Sequence, residues 1–401
     1  MDAPEVSGDQ SGGVDGGSMS ARVPVSQVLN LLVDCRKAWD AGIGTYIRNL
    51  VPRVLRRLPL GSVRILIASG TATQHAYLDD LPVKFVEEAG RPLSLQEQWK
   101  LRQLVREDEI FWATSLAHPL FWRGPMMATV HDVAQLALDR RMAGGWGVKL
   151  AARLYLQSLR RQAQQLFFIS EFTAAEFGRH VGTPSGACAV TPLGVDPGWF
   201  DAQELPHGEG RPYFISVGSI RPHKNLHTLL VAFRQVAGQL PHDLVIVGKQ
   251  DGFRTRASGL QELLAPLGRR VRFLGGVDEA TLREQVAGAS ALVFPSLYEG
   301  FGLPPLEAMA AGCPVIASRA GAVVEVCGGA ARYFETGSTD ALAAALLAQA
   351  VVTHDERLTQ VQRGREWVRQ YNWERTADLT ARALLSRFSD GDSLAHEVEH
   401  G

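Results

Sequence analysis

The sequence lacks the features that mark several common protein classes. Its four cysteines lie far apart and form no C-x-x-C pair (Cys35, Cys188, Cys313 and Cys327). This spacing argues against a zinc ribbon or a disulfide framework and favours a reducing, cytoplasmic location. No apolar run reaches the ~18 residues that a membrane-spanning helix requires. The net charge is −1, from 41 basic and 42 acidic side chains, so we expect no nucleic-acid partner.

A complete dinucleotide-binding motif is also absent. Gly42 and Gly44 form a G-x-G pair after an apolar run, but the third position of G-x-G-x-x-G is Ile47. The motif further requires an acidic residue roughly 20 positions on, and the two features do not occur together here. An oxidoreductase on Rossmann-like domains is therefore a less favoured interpretation.

The two ends of the chain lack periodic apolar patterns. Residues 1–26 are rich in Gly, Ser and acidic side chains, which predicts a disordered tail and not a signal peptide. Residues 391–401 predict a second flexible tail.

Between these ends, short apolar runs alternate with helical patterns. Such runs occur at 28–34, 63–68, 83–86, 110–113, 127–130, 166–170, 213–218, 243–248, 271–276, 291–296 and 313–318. Continuous Val/Ile/Leu runs between amphipathic helices indicate parallel sheets that are covered on both faces. The fold prediction is therefore α/β, with two tandem Rossmann-like, doubly wound domains and a cleft between them.

The domain boundaries follow from the break in periodicity at 191–213, which is rich in Gly, Pro and acidic residues. We expect a first domain over 27–195 and a second over 196–370. A C-terminal helix over 371–390, capped by Asn372, could pack back on the first domain. Asn225 is expected to cap the helix that follows it.

One predicted helix allows two interpretations. Residues 147–165 mix leucines, including Leu150, Leu154, Leu156 and Leu159, with several arginines. The helix could touch an anionic membrane surface, although a surface helix that covers the first sheet is the favoured interpretation.

Ligands of doubly wound sheets bind beyond the carboxyl ends of the strands, so residues at those positions are candidates for the site. Gly42 and Gly44 precede a helix N-terminus that could meet a phosphate, or they form an ordinary turn. His131 follows another strand, as a hydrogen-bonding or acid/base group or as a structural histidine. Arg221 and Lys224 follow a third strand, where they suit a diphosphate or form a solvated loop.

The stretch "YEGFGLPPLEAMAAGCP" places two carboxylates around a sharp helix start. Glu299 follows a strand, Gly302 can adopt positive φ, and two prolines suit the first helical turn. Glu307 is then expected in the first turn of the helix. An ionised carboxylate can accept two neighbouring hydroxyl groups, as on a ribose, and the amides of Phe301, Gly302 and Leu303 would face a second polar group.

These residues resemble a known family. "YEGFGLPPLEAMAAGCPVIAS" is similar to the E-x7-E signature of retaining glycosyltransferases of family 4, which have the GT-B fold. Four further segments match in order: "GIGTYIRNL", "TVHDV", "ISEFTAAEF" and "VGSIRPHKNLHTLLVAF". The resemblance covers nearly all of 28–388, and "RPHKN" resembles mannosyl- and rhamnosyl-type transferases of polysaccharide assembly.

The resemblance implies transfer of a hexose, preferably mannose from GDP-mannose, to a glycan, lipid-linked or small-molecule acceptor. In that scheme the catalytic residues are His131 and Glu299, both next to the donor sugar. The implied donor-binding residues are Gly42, Gly44, Arg221, Lys224, Phe301, Gly302, Leu303 and Glu307. Many members have an arginine five residues before the lysine, where this chain has Ser219.

The resemblance also implies that neither a metal nor a cofactor is required, since no Asp-x-Asp motif follows a predicted strand. The expected location is cytoplasmic, with possible peripheral contact at the inner membrane face. A non-catalytic nucleotide-sugar-binding protein is the main alternative, because such a protein could keep the same binding residues.

Overall fold

The computed structural model describes residues 28–90, 94–120, 122–139, 142, 144–202, 211–248 and 262–388. The two predicted tails, 1–26 and 391–401, lie outside the described residues, as does part of the predicted linker at 203–210.

The first of two parallel sheets has seven strands in the order β3-β2-β1-β4-β5-β6-β7. These strands are β1 Leu29–Asp34, β2 Leu60–Ala68, β3 Val83–Glu88, β4 Ile110–Ala113, β5 Met126–Val130, β6 Gln165–Phe168 and β7 Ala187–Val190. The direction of winding reverses between β1 and β4, so a crevice opens there at the carboxyl ends of the strands.

The second sheet repeats this plan with six strands in the order β10-β9-β8-β11-β12-β13. They are β8 Tyr213–Val217, β9 Asp243–Val247, β10 Val271–Gly275, β11 Ala291–Phe294, β12 Val315–Ser318 and β13 Arg332–Phe334. Here the winding reverses between β8 and β11, which pair in parallel. The loops that follow these two strands therefore lie side by side.

Helices cover both faces of each sheet. In chain order they are α1 Ile43–Leu55, α2 Leu95–Leu104, α3 Ala134–Ala137, α4 Trp146–Gln162, α5 Glu171–His180, α6 Leu226–Val236, α7 Glu279–Ala287, α8 Leu303–Ala310, α9 Val323–Cys327, α10 Thr339–Ala350, α11 His354–Val368 and α12 Trp373–Phe388. Neighbouring strand residues enter different cores, as Leu31 and Leu32 do in β1 and Leu292 and Val293 do in β11. Burial on both faces explains the continuous apolar runs.

The predicted fold class is confirmed, since both domains are doubly wound parallel sheets. Two edge strands, β7 and β13, escaped prediction because they are short and partly exposed. The predicted cap at Asn372 is confirmed, because its side-chain oxygen accepts a hydrogen bond from the Arg375 amide at 2.8 Å.

The predicted cap at Asn225 is wrong. Residues 222–224 form a single 3-10 turn that runs directly into α6, so Asn225 links two helices and adopts a left-handed conformation (φ 54°). Its side chain does not cap α6. Instead, its amide nitrogen donates to the Pro295 carbonyl at 3.2 Å and its oxygen accepts from the Thr228 hydroxyl at 2.8 Å.

Helix α12 returns from the second domain to pack against α1 of the first. Arg57 pairs with Asp378 at 2.6 Å and Arg53 pairs with Glu374 at 2.8 Å. The chain therefore passes between the domains twice, and the two connecting segments are in contact. The Val195 amide donates to the Tyr371 carbonyl at 3.0 Å.

No helix within the described part of the chain is long and apolar enough to cross a membrane.

Candidate active site

The loop of residues 299–302 follows β11 and is wedged between the two domains. A Cβ atom at Gly300 would lie 2.0 Å from the carbonyl oxygen of His131 in the first domain. Gly302 has φ 112°, as its predicted role at the helix start requires, and α8 begins at Leu303. Glycine at 300 is thus explained by close approach of the other domain, which sequence reasoning did not identify.

Glu299 and Lys224 form an ion pair at the tip of this loop. The Lys224 ammonium donates to Glu299 Oε1 at 2.7 Å, and both side chains are largely buried. They meet because Lys224 follows β8 and Glu299 follows β11, and these strands are neighbours. The structure therefore brings two residues together. The resemblance places Glu299 next to the donor sugar and gives Lys224 a role in binding another part of the donor.

A small pocket opens beside this pair at the ends of β8 and β11. Lys224 lines it together with residues 216–220, including Ser219, and with Phe294 and Ser296. Arg221 lies exposed on the same loop and is not among the lining residues. The position that lacks the expected arginine therefore faces the pocket directly.

Glu307 lies in the second turn of α8, one turn further into the helix than predicted. Burial raises the pKa of Glu307 to about 7, and the carboxylates of Glu279 and Asp196 add to that rise while Arg283 opposes it. Arg283 is itself paired with Asp196 at 3.0 Å and with Glu279. Near neutral pH the Glu307 carboxyl can thus change its protonation when a ligand binds.

His131 follows β5 and is held as a neutral imidazole. Its Nε2 donates to the Thr114 carbonyl at 2.9 Å, and the ring meets Tyr46 edge-on with centroids 4.9 Å apart. Burial lowers the pKa of His131 to about 4. A neutral ring that donates through Nε2 keeps Nδ1 as a hydrogen-bond acceptor, which suits a hydroxyl partner and not an anion.

The two predicted site glycines, Gly42 and Gly44, are required for different structural reasons. Gly42 has φ 72° before α1, and a Cβ there would meet nothing within 4 Å. A Cβ at Gly44 would lie 2.5 Å from the Ala38 carbonyl oxygen, and the Gly44 amide already donates to the Asp40 backbone carbonyl at 2.9 Å. Packing therefore accounts for Gly44, whereas Gly42 presents open backbone.

Two residues of "ISEFTAAEF" also reach this site, although sequence reasoning gave them no role. Ser170 and Thr173, at the start of α5, both donate side-chain hydrogen bonds to the Gly300 carbonyl. A serine before a helix and a threonine in its first turn are usually explained as capping residues. The only indication of a further role was the resemblance of the whole segment to the family.

Comparison with known proteins agrees with this architecture. Residues 198–367 match the family Glycosyl transferases group 1. The chain is 24% identical over 372 residues to O-antigen chain mannosyltransferase B of Escherichia coli, covering 85% of this chain and 95% of that protein. It is 28% identical over 326 residues to the GDP-mannose-dependent alpha-(1-6)-phosphatidylinositol monomannoside mannosyltransferase of Mycobacterium tuberculosis, covering 74% and 80%.

A solved structure shares the fold over most of its length. HepE of Anabaena, in complex with UDP and glucose, superposes with a TM-score of 0.71 at 18% identity, covering 89% of this chain and 100% of that one. The two doubly wound sheets are those of the GT-B fold. This fold, the family match in the second domain and the mannosyltransferase relatives together support a glycosyltransferase of the GT-B fold.

Proposed function

We propose that the protein is a retaining mannosyltransferase that uses a nucleoside-diphosphate sugar, preferably GDP-mannose. The observation that carries this proposal is the Lys224–Glu299 ion pair at adjacent strand ends. The loop of Glu299 leads directly into α8, which carries Glu307 in its second turn. Such a donor needs a cation for its diphosphate, a carboxylate for its sugar and a second carboxylate for its ribose. We assign these roles to Lys224, Glu299 and Glu307. The relatives named as mannosyltransferases support the choice of sugar.

In the proposed reaction the donor diphosphate takes the place of Glu299 as the partner of Lys224. The Glu299 carboxylate is then free to accept hydrogen bonds from sugar hydroxyls. The ammonium and the amides of 301–303, at the positive end of α8, stabilise the negative charge that develops on the leaving diphosphate. These groups need no metal ion, so we propose a metal-independent enzyme without a cofactor.

The chemical step breaks the bond between C1 of the sugar and the diphosphate oxygen, through an oxocarbenium-like transition state. The acceptor oxygen forms the new C1–O bond on the same face, which retains configuration. Its proton passes to an oxygen of the leaving diphosphate. His131, as a neutral acceptor, orients a sugar hydroxyl, and Gly42 offers open backbone to the diphosphate from the first domain.

Binding of the donor is the first test. GDP-mannose at 100 times its Kd is expected to stabilise the protein by about 2.7 kcal/mol, which raises the melting temperature by a few degrees. UDP-glucose at the same concentration should give a smaller shift, and EDTA should leave both unchanged. If no nucleotide sugar shifts the melting temperature, the proposal is wrong.

Turnover separates the enzyme from a non-catalytic sensor. We expect release of GDP in the presence of acceptor extracts, and an α-configured product by NMR. Donor binding without turnover across glycan, lipid and small-molecule acceptors would favour the sensor.

We further propose that the first domain contacts the inner membrane face through helices α2 and α4. Helix α4 buries Leu156 and Leu159 against the sheet, as the favoured interpretation required, but it leaves Leu150 and Leu154 60% and 57% exposed. Trp146 lies on the same stripe, and the exposed Arg153 and Arg161 lie on the same helix next to and beyond Leu154. Exposed apolar side chains among arginines complement an anionic lipid surface.

Helix α2 extends this surface. Its Gln98 side chain donates to the Tyr155 hydroxyl of α4 at 2.9 Å, so the two helices are neighbours. Leu95 and Trp99 of α2 are 90% and 65% exposed. The Mycobacterium tuberculosis relative is named for a phosphatidylinositol-linked acceptor, which supports an acceptor presented at a membrane.

Introducing negative charge on this surface should strongly weaken vesicle binding. The double variant Leu150→Glu/Leu154→Glu is expected to lower partitioning onto phosphatidylglycerol vesicles at least tenfold in a sedimentation assay, because apolar contact is lost and two carboxylates oppose the attraction of the arginines. The matched control is Leu358→Glu, an equally exposed leucine on α11 of the second domain. Equal loss in both variants, or none in the double variant, would contradict the surface assignment.

A further inference from the structure

We propose that Ser170, Thr173 and Glu325 form an interdomain clasp that fixes the backbone next to Glu299 when the two domains are closed. The first two residues belong to the first domain and Glu325 belongs to α9 of the second. The inference rests on the proposed function for its catalytic consequence, but the clasp itself can be tested without activity.

The first half of the clasp is the carbonyl of Gly300. Ser170 Oγ donates to this oxygen at 2.6 Å and Thr173 Oγ1 donates to it at 3.0 Å. Both side chains are completely buried. A hydroxyl has a single proton to donate. Thr173 commits its proton to this carbonyl of the other domain, and Ser170 Oγ lies closer to the same carbonyl than to Thr173 Oγ1, which is 3.0 Å from Ser170 Oγ.

The second half of the clasp is the carboxylate of Glu325. Its two oxygens accept hydrogen bonds from the amides of Glu171 and Phe172, each at 2.9 Å. These amides are at the N-terminus of α5, where helix geometry leaves them without a partner inside the helix and the helix dipole favours a negative charge. The second domain therefore supplies a cap to a helix of the first.

An ordinary N-cap does not account for this arrangement. Ser170 already provides the ordinary N-cap of α5, because its Oγ accepts from the Thr173 amide at 3.0 Å. The Thr173 hydroxyl and the Glu325 carboxylate add nothing to the capping bond that Ser170 makes. Both instead join α5 to the second domain, and the Thr173 hydroxyl does so at the residue that follows Glu299.

The clasp acts on Glu299 through the backbone that follows it. The Glu299 carbonyl accepts from the Ala322 amide at 3.0 Å, and Gly321 packs so closely there that a Cβ would lie 2.4 Å from it. The next carbonyl, that of Gly300, is fixed by the clasp. When the domains separate, the Gly300 carbonyl and the two α5 amides lose these partners together, whereas the Ala322 contact lies within the second domain and remains. The carbonyls of Glu299 and Gly300 are therefore both held only in the closed form.

Thr173→Val removes one clasp hydroxyl while it keeps the shape of the side chain and the Ser170 cap. We expect kcat to fall about tenfold, the effect of one buried hydrogen bond, with a smaller change in donor KM. Thr173→Ser should restore the rate because it restores the hydroxyl. The matched control is Ser338→Ala, which removes a helix cap in the second domain that accepts from the Ala341 amide, remote from Glu299 in sequence.

Hydrogen exchange tests the clasp independently of activity. In Glu325→Ala, amide exchange in the peptide that contains Glu171 and Phe172 should be at least about tenfold faster than in the native protein. Glu325→Gln should be intermediate, since its amide oxygen can still accept. Unchanged exchange in Glu325→Ala, or an equal loss of kcat in Ser338→Ala and Thr173→Val, would overturn the clasp. Absence of any donor turnover would defeat the proposed function but leave the exchange result to decide the clasp.

Discussion

Replacing Lys224 by alanine is expected to lower kcat/KM for the nucleotide-sugar donor about 1,000-fold, the upper range for loss of one preorganised group that stabilises a leaving anion. The ammonium is largely buried, and it lies between the ends of β8 and β11. Its charge would therefore act on the diphosphate with little screening by water. Initial rates at several donor concentrations, with the melting temperature as a check on folding, measure this loss.

The ion pair with Glu299 also predicts how the losses in a double variant combine. Without Lys224 the Glu299 carboxylate remains largely buried beside the diphosphate site, where it repels the donor. Adding Glu299→Gln to Lys224→Ala should therefore cost less than the sum of the two single losses. Arg221→Ala serves as the matched control, because Arg221 is exposed on the same loop and we expect about a tenfold loss at most. Additive losses, or transfer by Lys224→Ala within tenfold of the native rate, would remove Lys224 from the diphosphate site.

Glu307→Gln is expected to weaken donor binding about 100-fold, because two hydroxyl groups lose a charged acceptor and each such bond is worth more than a neutral one. Glutamine fills the same volume and keeps one acceptor oxygen. The melting temperature without donor should therefore not fall. Calorimetric titration with GDP and with GDP-mannose should show equal losses, since the ribose is common to both.

Glu307 should also make donor binding depend on pH. Its pKa is raised to about 7 in the folded protein, so the carboxyl is partly protonated near neutral pH, whereas the ribose requires the ionised form. Affinity should increase as pH rises through about 7 and then level off, with proton release on binding. This slope should vanish in Glu307→Gln, and a slope that persists there would assign the titration to another group.

The same shift predicts the sign of a stability effect. Because the folded state holds the Glu307 proton more tightly than the unfolded chain, this group stabilises the fold at low pH. That contribution is lost as pH rises from the unfolded value of 4.5 through about 7. Relative to the native protein, Glu307→Gln should therefore gain stability between mildly acidic and alkaline buffers, as denaturant unfolding would measure.

The sequence alone predicted those features of the fold that depend on local sequence patterns. Alternating apolar runs predicted the two parallel sheets, and the order of Gly302 and two prolines predicted where α8 begins. Asn225 shows the limit of such rules, because its conformation depends on the 3-10 turn before it. Leu150 and Leu156 likewise look equivalent in the sequence, and only the packing of α4 separates the exposed residue from the buried one.

Contacts between the domains could not be predicted, because they join residues far apart in the chain. Ser170 and Gly300 are 130 positions apart, and Glu171 and Glu325 are 154 apart. No local pattern specifies how two separately folded sheets dock. The Lys224–Glu299 pair lies within one domain, but its members are also far apart in the chain. Each was identified as a site residue, and their pairing was not predicted.

The contact between the two segments that connect the domains has a consequence for protein engineering. Val195 and Tyr371 mark a seam at which the chain leaves the first domain and comes back to it. A chimera that exchanges the donor-side module should therefore replace the whole segment between these two residues. Helix α12 must be retained from the host, because its Asp378 and Glu374 match arginines on α1 and not any residue of the transplanted module.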